Sequence, residues 1–345
     1  ISFIRFMILK FIENIWYKSF WSLTGVIVIL MSPLSILYLF AIKLHDLLYK
    51  MKILRVLILK TPVLIVGNLT VGGTGKTPFC IWLSNYLEKL QIKVGIVASG
   101  YKSNGSSPKV VDKSSSPLDV GDEAIELASM TNAIVVSSNN RAKSSLFLEN
   151  NFDLDLIIHD DGLQNKKIGR DVEILLINDN LKYGNGFLLP AGPLREFPDK
   201  RIQKSNLIVY SKCREHQYNI YNSKNIPAFM VENKLVTNSI SKESRQIDSF
   251  ERIHLVCGIS STKIIEENIR TLNVEYILHK YSDHYSFKGN EILFDDNLPV
   301  FVTMKDYVKL EPYKINNLWI IKNNLILNQS IENAIKKITT DIKKL

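Results

Sequence analysis

Residues 70–77 read Thr-Val-Gly-Gly-Thr-Gly-Lys-Thr, between a short apolar run, Pro62–Gly67, and a stretch of helical spacing, Pro78–Leu90. A glycine-rich turn placed after a strand and before a helix can point backbone N–H groups at phosphate oxygens, and the helix start adds positive potential. That order commits the chain to an α/β architecture before anything else is read. Gly72, Gly73, Thr74, Gly75, Lys76 and Thr77 are the candidate nucleotide-binding residues. In this pattern Lys76 meets the β- and γ-phosphates and Thr77 places its hydroxyl on Mg²⁺. Thr70 stands where such loops usually begin with Gly.

Further apolar runs follow at Val94–Ala98, Ala133–Ser137, Leu154–His159, Val172–Asn178 and Asn206–Tyr210, with helical stretches at Asp122–Met130 and Arg141–Asn150 between several of them. The alternation predicts a P-loop NTPase-type, mostly parallel sheet with helices on both faces. Ser99–Gly121, rich in Ser, Gly and Pro, reads as a long loop with a small hairpin, a length that usually serves function. From about residue 211 a second set begins: Ala228–Val231, Ile253–Cys257, Glu275–His279, Val300–Thr303 and Leu318–Ile321, with a helix at Thr262–Leu272. The expected organisation is a membrane-associated segment over 1–60, a P-loop domain over 61–210 and a second, smaller α/β domain over 211–325. A C-terminal helix over 326–345 packs back on the P-loop domain.

Leu156–His159 ends in Asp160 and Asp161, and strand-end carboxylates are how P-loop enzymes hold Mg²⁺ or its bound water. Thr77, Asp160 and Asp161 are therefore the candidate metal ligands. No N/T-K-x-D sequence is present, since Thr303-Met304-Lys305-Asp306 has its Lys in the wrong place, so ATP is favoured over GTP. The P-loop does not say what receives the phosphoryl group; that needs a base beside an acceptor hydroxyl. Gly121-Asp122-Glu123 and Ser282-Asp283-His284-Tyr285 are candidates, and as isolated residues each also fits a helix cap or a surface turn.

Phe20–Ile42 runs 23 residues without a formal charge, long enough as a helix to cover a bilayer core, with Pro33 in its middle as a bend. Trp16, Tyr17, Trp21 and Tyr38 supply interfacial rings. Residues 1–60 hold eight Lys/Arg against Glu13 and Asp46, so +6 of the net +9 lies there. Charge flanking an apolar segment points to a membrane surface, and no nucleic acid is expected as a partner. Lys43, Lys50, Lys52, Arg55 and Lys60 favour a cytoplasmic carboxyl side. Cys80, Cys213 and Cys257 match no zinc or disulfide spacing.

Several motifs in order resemble the tetraacyldisaccharide 4′-kinase family of lipid A synthesis: Val66-Gly67-Asn68, Val71–Pro78, Val120–Glu123, Asp160–Gln164, Leu189–Glu196, Asp283-His284 and Val302–Asp306. The resemblance implies transfer of phosphate from MgATP to the 4′-hydroxyl of an acylated glucosamine disaccharide 1-phosphate, at the bacterial inner membrane, with the catalytic domains facing the cytoplasm. It makes Asp122 the catalytic carboxylate, His284 its partner, Asp283 the adjacent acid and Lys76 the phosphate-binding cation. Arg141, Gln164, Arg195, Ser99 and Gly100 match the acceptor side. Membrane lipids and the disaccharide are the implied partners of a monomer. Two positions depart from the family pattern: Ser99 stands in place of Arg and Asn165 in place of His, with Lys102, Lys166 and Lys167 as nearby cations. A membrane-tethered nucleotide switch acting on a protein partner is the alternative reading, needing no acceptor pocket.

Overall fold

The computed structural model describes residues 15–17, 23–100, 107–211, 215–259, 262–283 and 285–342. His284, Tyr101, Lys102 and Cys213, along with Phe20 and Trp21 of the apolar segment, lie outside the described residues.

Two sheets organise the chain. The first has nine strands in the spatial order Asn324–Leu327, Ala228–Glu232, Leu207–Ser211, Val172–Asn178, Val63–Asn68, Leu156–Asp160, Val94–Ser99, Ile134–Ser138 and Lys109–Val111. Its inner pairings are parallel and only the two outermost are antiparallel. The central strands are buried along their whole length, which is why they read as continuous apolar runs and not as alternating ones. Helices Lys76–Lys89, Asp122–Met130 and Gln329–Ile342 cover one face through Phe79, Leu83, Ile125, Ile331 and Ile335. Arg141–Asn151 covers the other face through Leu148, packed on Val97, Val136 and Ile157.

The second sheet has six strands, in the order Ser244–Gln246, Leu235–Asn238, Leu318–Ile321, Val300–Thr303, Arg252–Cys257 and Glu275–Lys280. Helix Lys263–Thr271 seals one of its faces with Ile265 and Ile269. One expectation changes here. Ala228–Glu232, grouped by sequence with the later strands, extends the first sheet in parallel beside Leu207–Ser211, and Asn324–Leu327 returns to cap that edge. Among the described residues of 99–121, Lys109–Val111 pairs antiparallel with the later strand Ile134–Ser138, and a short helix follows at Pro117–Val120.

Near the amino terminus a 28-residue helix runs from Leu23 to Lys50. It passes through Pro33, which has no N–H to offer Ile29; the Ser32 hydroxyl donates to that carbonyl instead at 2.7 Å. Most of this helix is uncovered: Leu30 and Phe40 are each 72% exposed, and Ile29, Leu37 and Leu44 project likewise. Gly25–Lys50 is long and apolar enough to cross a membrane. One line of polar side chains ties it to the first sheet, as the site shows.

Candidate active site

The phosphate cradle forms where the chain leaves Val63–Asn68, the strand flanked by Leu156–Asp160 on one side and Val172–Asn178 on the other. Ligands of open α/β sheets bind at the carboxyl ends of strands where the order reverses. Thr70 sits in an extended bridge to Leu194, and the Val71 N–H donates to the Pro193 carbonyl at 2.9 Å, so the first position of the loop has no need of glycine. Gly75 does need to be glycine: its φ of 82° is left-handed, and a Cβ there would press on the Phe229 ring at 3.3 Å. Helix Lys76–Lys89 begins at once, so its free N–H groups face the loop.

Lys76 rests on protein acceptors: its Nζ donates to Asn68 Oδ1 at 3.2 Å and lies 3.7 Å from Asp161. Thr77 Oγ1 donates to Asp160 Oδ2 at 2.9 Å. The other oxygen of Asp160 is buried and accepts from no N–H or O–H group. Burial first, and then Glu123 nearby, push the Asp160 carboxyl up to about 6. Burial also disfavours charge on Asp161, but Lys76, Arg195 and Arg141 outweigh it and hold that carboxyl below its ordinary value. An oxygen-only set with one unused buried carboxylate oxygen suits a hard divalent cation such as Mg²⁺, which takes one or two protein carboxylates and fills its shell with water and phosphate. Among the described residues no group of three His, Cys, Asp or Glu forms a complete cage.

Arg195 and Gln164 join this cluster. Arg195 Nη1 bridges both oxygens of Asp161, at 2.9 and 3.1 Å, and reaches Gln164 Oε1 at 3.2 Å. The Gln164 amide donates to the Asn68 carbonyl and to Glu196. Arg141 donates its guanidinium to the backbone carbonyls of Asp160 and Asp161, bracing the turn that presents both carboxylates. Asp161 itself is left-handed, with φ 57°. Ser99 ends its strand, and the Gly100 N–H donates to the Ser138 carbonyl at 3.2 Å. Asn165 uses its side chain to accept from the Lys167 N–H, and Lys166 pairs with Asp46 of the apolar helix.

That helix is fixed to the segment carrying Arg195. The Ser35 hydroxyl donates to the Leu188 carbonyl at 2.8 Å and accepts from the Ala191 N–H at 3.1 Å, and Tyr38 donates to the Arg195 carbonyl at 3.1 Å. Trp16 donates to the Pro190 carbonyl. The exposed apolar surface and the cation cluster are thus one polar layer apart.

Asp122 opens helix Asp122–Met130, and Gly121 before it has φ 88° and ψ 147°, a conformation reserved in practice for glycine. Asp122 is buried, accepts from the Glu123 N–H at 3.0 Å, and has Lys309 Nζ at 3.8 Å from its carboxylate. Lys305 Nζ lies 3.3 Å from Glu123 and 3.3 Å from Asp283. Asp122 and Asp283, far apart in sequence, therefore meet around two lysines of helix Met304–Leu310. The pairing of Asp122 with His284 itself lies outside the described residues. Asn68, Lys305 and Lys309 were given no role by sequence reasoning; the motifs Val66–Asn68 and Val302–Asp306 held the signal for the first two, and Lys309 follows one helical turn after Lys305.

A profile of the family described as LpxK, tetraacyldisaccharide-1-P 4′-kinase, matches residues 27–340. A tetraacyldisaccharide 4′-kinase of Coxiella burnetii is 33% identical over 328 residues, covering 95% of this chain and 94% of the relative. One from Haemophilus influenzae is 34% identical over 305 residues, covering 88% and 90%. Among solved structures, an "apo" form of LpxK from Aquifex aeolicus in complex with ATP superposes with a TM-score of 0.74 at 26% identity, over 92% of this chain and 99% of that one. None of these similarities favours the nucleotide-switch reading.

Proposed function

The chain belongs to the tetraacyldisaccharide-1-phosphate 4′-kinase family, and from that premise we propose how its residues carry out phosphoryl transfer from ATP to the 4′-hydroxyl of the acylated disaccharide 1-phosphate. The protein is an ATP-dependent kinase of lipid A biosynthesis. The observation that carries the assignment of roles is the convergence of Lys76, Thr77, Asp160 and Asp161 at one strand end, with Glu123 close enough to Asp160 to raise its proton affinity. The carboxylates of the Gly121-Asp122-Glu123 turn therefore stand beside the place where the terminal phosphate would rest.

Gly72 to Thr77 bind the phosphates. Lys76 exchanges Asn68 and Asp161 for the β- and γ-phosphate oxygens, so the positive charge moves onto the transferring group without being freed into solvent. Thr77, Asp160 and Asp161 would hold Mg²⁺, which when bound neutralises charge on those phosphates. Asp122 accepts the proton of the 4′-hydroxyl as its oxygen attacks the γ-phosphorus, and the bridging P–O bond to the β-phosphate breaks to release ADP. His284 is the group we assign to tune Asp122, and Asp283 the acid that places that loop. Arg195, Gln164 and the Ser99-Gly100 turn face the acceptor, and Arg141 acts through the Asp160-Asp161 backbone.

The domain division at 1–60, 61–210, 211–325 and 326–345 is amended by strand membership: the P-loop lobe takes in Ala228–Glu232 and Asn324–Leu327. A monomer, with its exposed apolar helix in the inner membrane and both sheets on the cytoplasmic side, would reach the disaccharide from the bilayer face. The charge bias of Lys43, Lys50, Lys52, Arg55 and Lys60 supports that orientation.

Purified protein given ATP, Mg²⁺ and the acylated disaccharide should yield a lipid carrying one added phosphate, by mass spectrometry. Asp122→Ala should lower turnover by about 10²–10⁴-fold while ATP binding persists. Unchanged turnover in that variant would remove Asp122 as the base.

A further inference from the structure

The Val302–Asp306 motif has so far no part in the chemistry, yet the helix it opens sets Lys309 beside Asp122 and Lys305 beside its neighbour Glu123. Thr303 ends a strand of the second sheet and caps the following helix, accepting from the Asp306 N–H at 3.2 Å while its hydroxyl donates to Asp306 Oδ2 at 2.8 Å. The Gly258 N–H donates to the same oxygen at 3.0 Å, and Asp306 is fully buried. Its other oxygen takes Lys309 Nζ at 2.9 Å, fixing that ammonium beside Asp122. The first helical turn is thereby locked, and with it the direction of Lys305.

Lys305 is only 15% exposed and lies 3.3 Å from both Glu123 and Asp283. These carboxylates come from opposite lobes, 160 positions apart in sequence. Without a cation they would repel one another across the cleft. Burial opposes the charge on Lys305, but Glu123, Asp283 and Asp122 outweigh it and keep the ammonium protonated above its ordinary range.

We propose that Lys305 is a positioning residue for the phosphoryl transfer: its ammonium ties Glu123, the neighbour of the base, to Asp283 of the loop that carries His284, and so sets where Asp122 stands relative to the acceptor hydroxyl. A pair of this kind adds little to folding stability on its own, because desolvation offsets most of the attraction. Its effect belongs to geometry, and a displacement of about 1 Å at a reacting group costs on the order of 10²-fold in rate. The proposal rests on the kinase reading with Asp122 as base.

The test is steady-state kinetics with ATP, Mg²⁺ and the acylated disaccharide in detergent micelles, on the full chain. Wild-type protein that leaves the lipid unphosphorylated would remove the kinase reading itself, whatever the variants do. Given wild-type turnover, Lys305→Met should lower kcat by about 10- to 100-fold, the loss expected from one charge-assisted contact. The KM for ATP should stay within about twofold, while the Tm should fall, because removing one partner of a buried pair leaves Glu123 and Asp283 uncompensated; the kcat loss should persist at temperatures where the variant is fully folded. Lys305→Arg, which keeps the charge, should recover most of the rate. In a Glu123→Gln/Asp283→Asn background, Lys305→Met should cost nothing further. Wild-type kcat in Lys305→Met would overturn the proposal, and so would the full loss persisting in the double-variant background, which would mean that Lys305 acts through groups other than these two carboxylates. Should Lys305→Met fail to fold, Asp283→Asn decides: its half-exposed side chain is dispensable to the core, and a kcat equal to wild type would overturn the bridge.

Discussion

Glu126 lies one helical turn beyond Asp122 and is buried. Burial is the main reason its carboxyl is pushed up to about 8; Glu123, Asp122 and Asp160 add to the rise and Lys305 partly opposes it. The folded protein therefore keeps Glu126 protonated where the unfolded chain, with an ordinary value of 4.5, has already ionised. Stability from this group is complete below about 4.5 and is lost as pH rises through about 8. Between pH 5.5 and 8.5 the loss amounts to about 3 kcal/mol, from roughly 1.4 kcal/mol for each pH unit up to the folded-state value. Glu126→Gln keeps the shape and removes the titration. Its Tm should exceed that of wild type by about 2 °C at pH 5.5, and the gap should widen by about a further 4 °C by pH 8.5, given about 2.1 cal/mol/K of unfolding entropy per residue. Thermal unfolding of both proteins in one detergent across that range is the assay. Asp160 titrates in the same direction, but it is common to both proteins and cancels in the difference. A Tm difference that stays flat with pH would refute the claim that Glu126 is buried uncharged.

Two further outcomes follow from the site and the helix. Thr77→Ala removes the hydroxyl that meets Asp160; the Mg²⁺ concentration for half-maximal turnover should rise and kcat fall by about 10²-fold, while nucleotide binding measured with chelator present stays near wild type. Leu37→Asp and Phe40→Asp, on the exposed face of Leu23–Lys50, should raise the KM for lipid far more than that for ATP and shift the protein out of the membrane fraction; equal effects on both substrates would count against the bilayer-facing acceptor route.

The parts of the molecule that could be read from sequence are those written in contiguous residues. The turn from Asn68 to Thr77 and the strand ending in Asp160 carry their own dihedral and charge requirements, so strand, cradle, helix and metal carboxylates fall where the residue types demand. Ala228–Val231 was assigned to the wrong sheet because an apolar run of four residues fits either; its place is decided by Leu207–Ser211 beside it and by Asn324–Leu327 returning nearly a hundred residues later. Sheet partnership is a long-range choice that a local pattern does not encode. The same holds for the cleft. Lys305 and Glu123 are 182 residues apart, and each alone reads as a solvated charge on a short helix. Only the fold of two sheets against one another makes them a pair, and only then does the buried Thr303–Asp306 turn acquire a purpose. A motif whose residues satisfy one another locally, yet leave a lysine pointing away from its own sheet, calls for a partner on another element. Here that partner is the turn holding Asp122, so the base and the loop that completes its site are coupled through one ammonium and not through the backbone of either lobe.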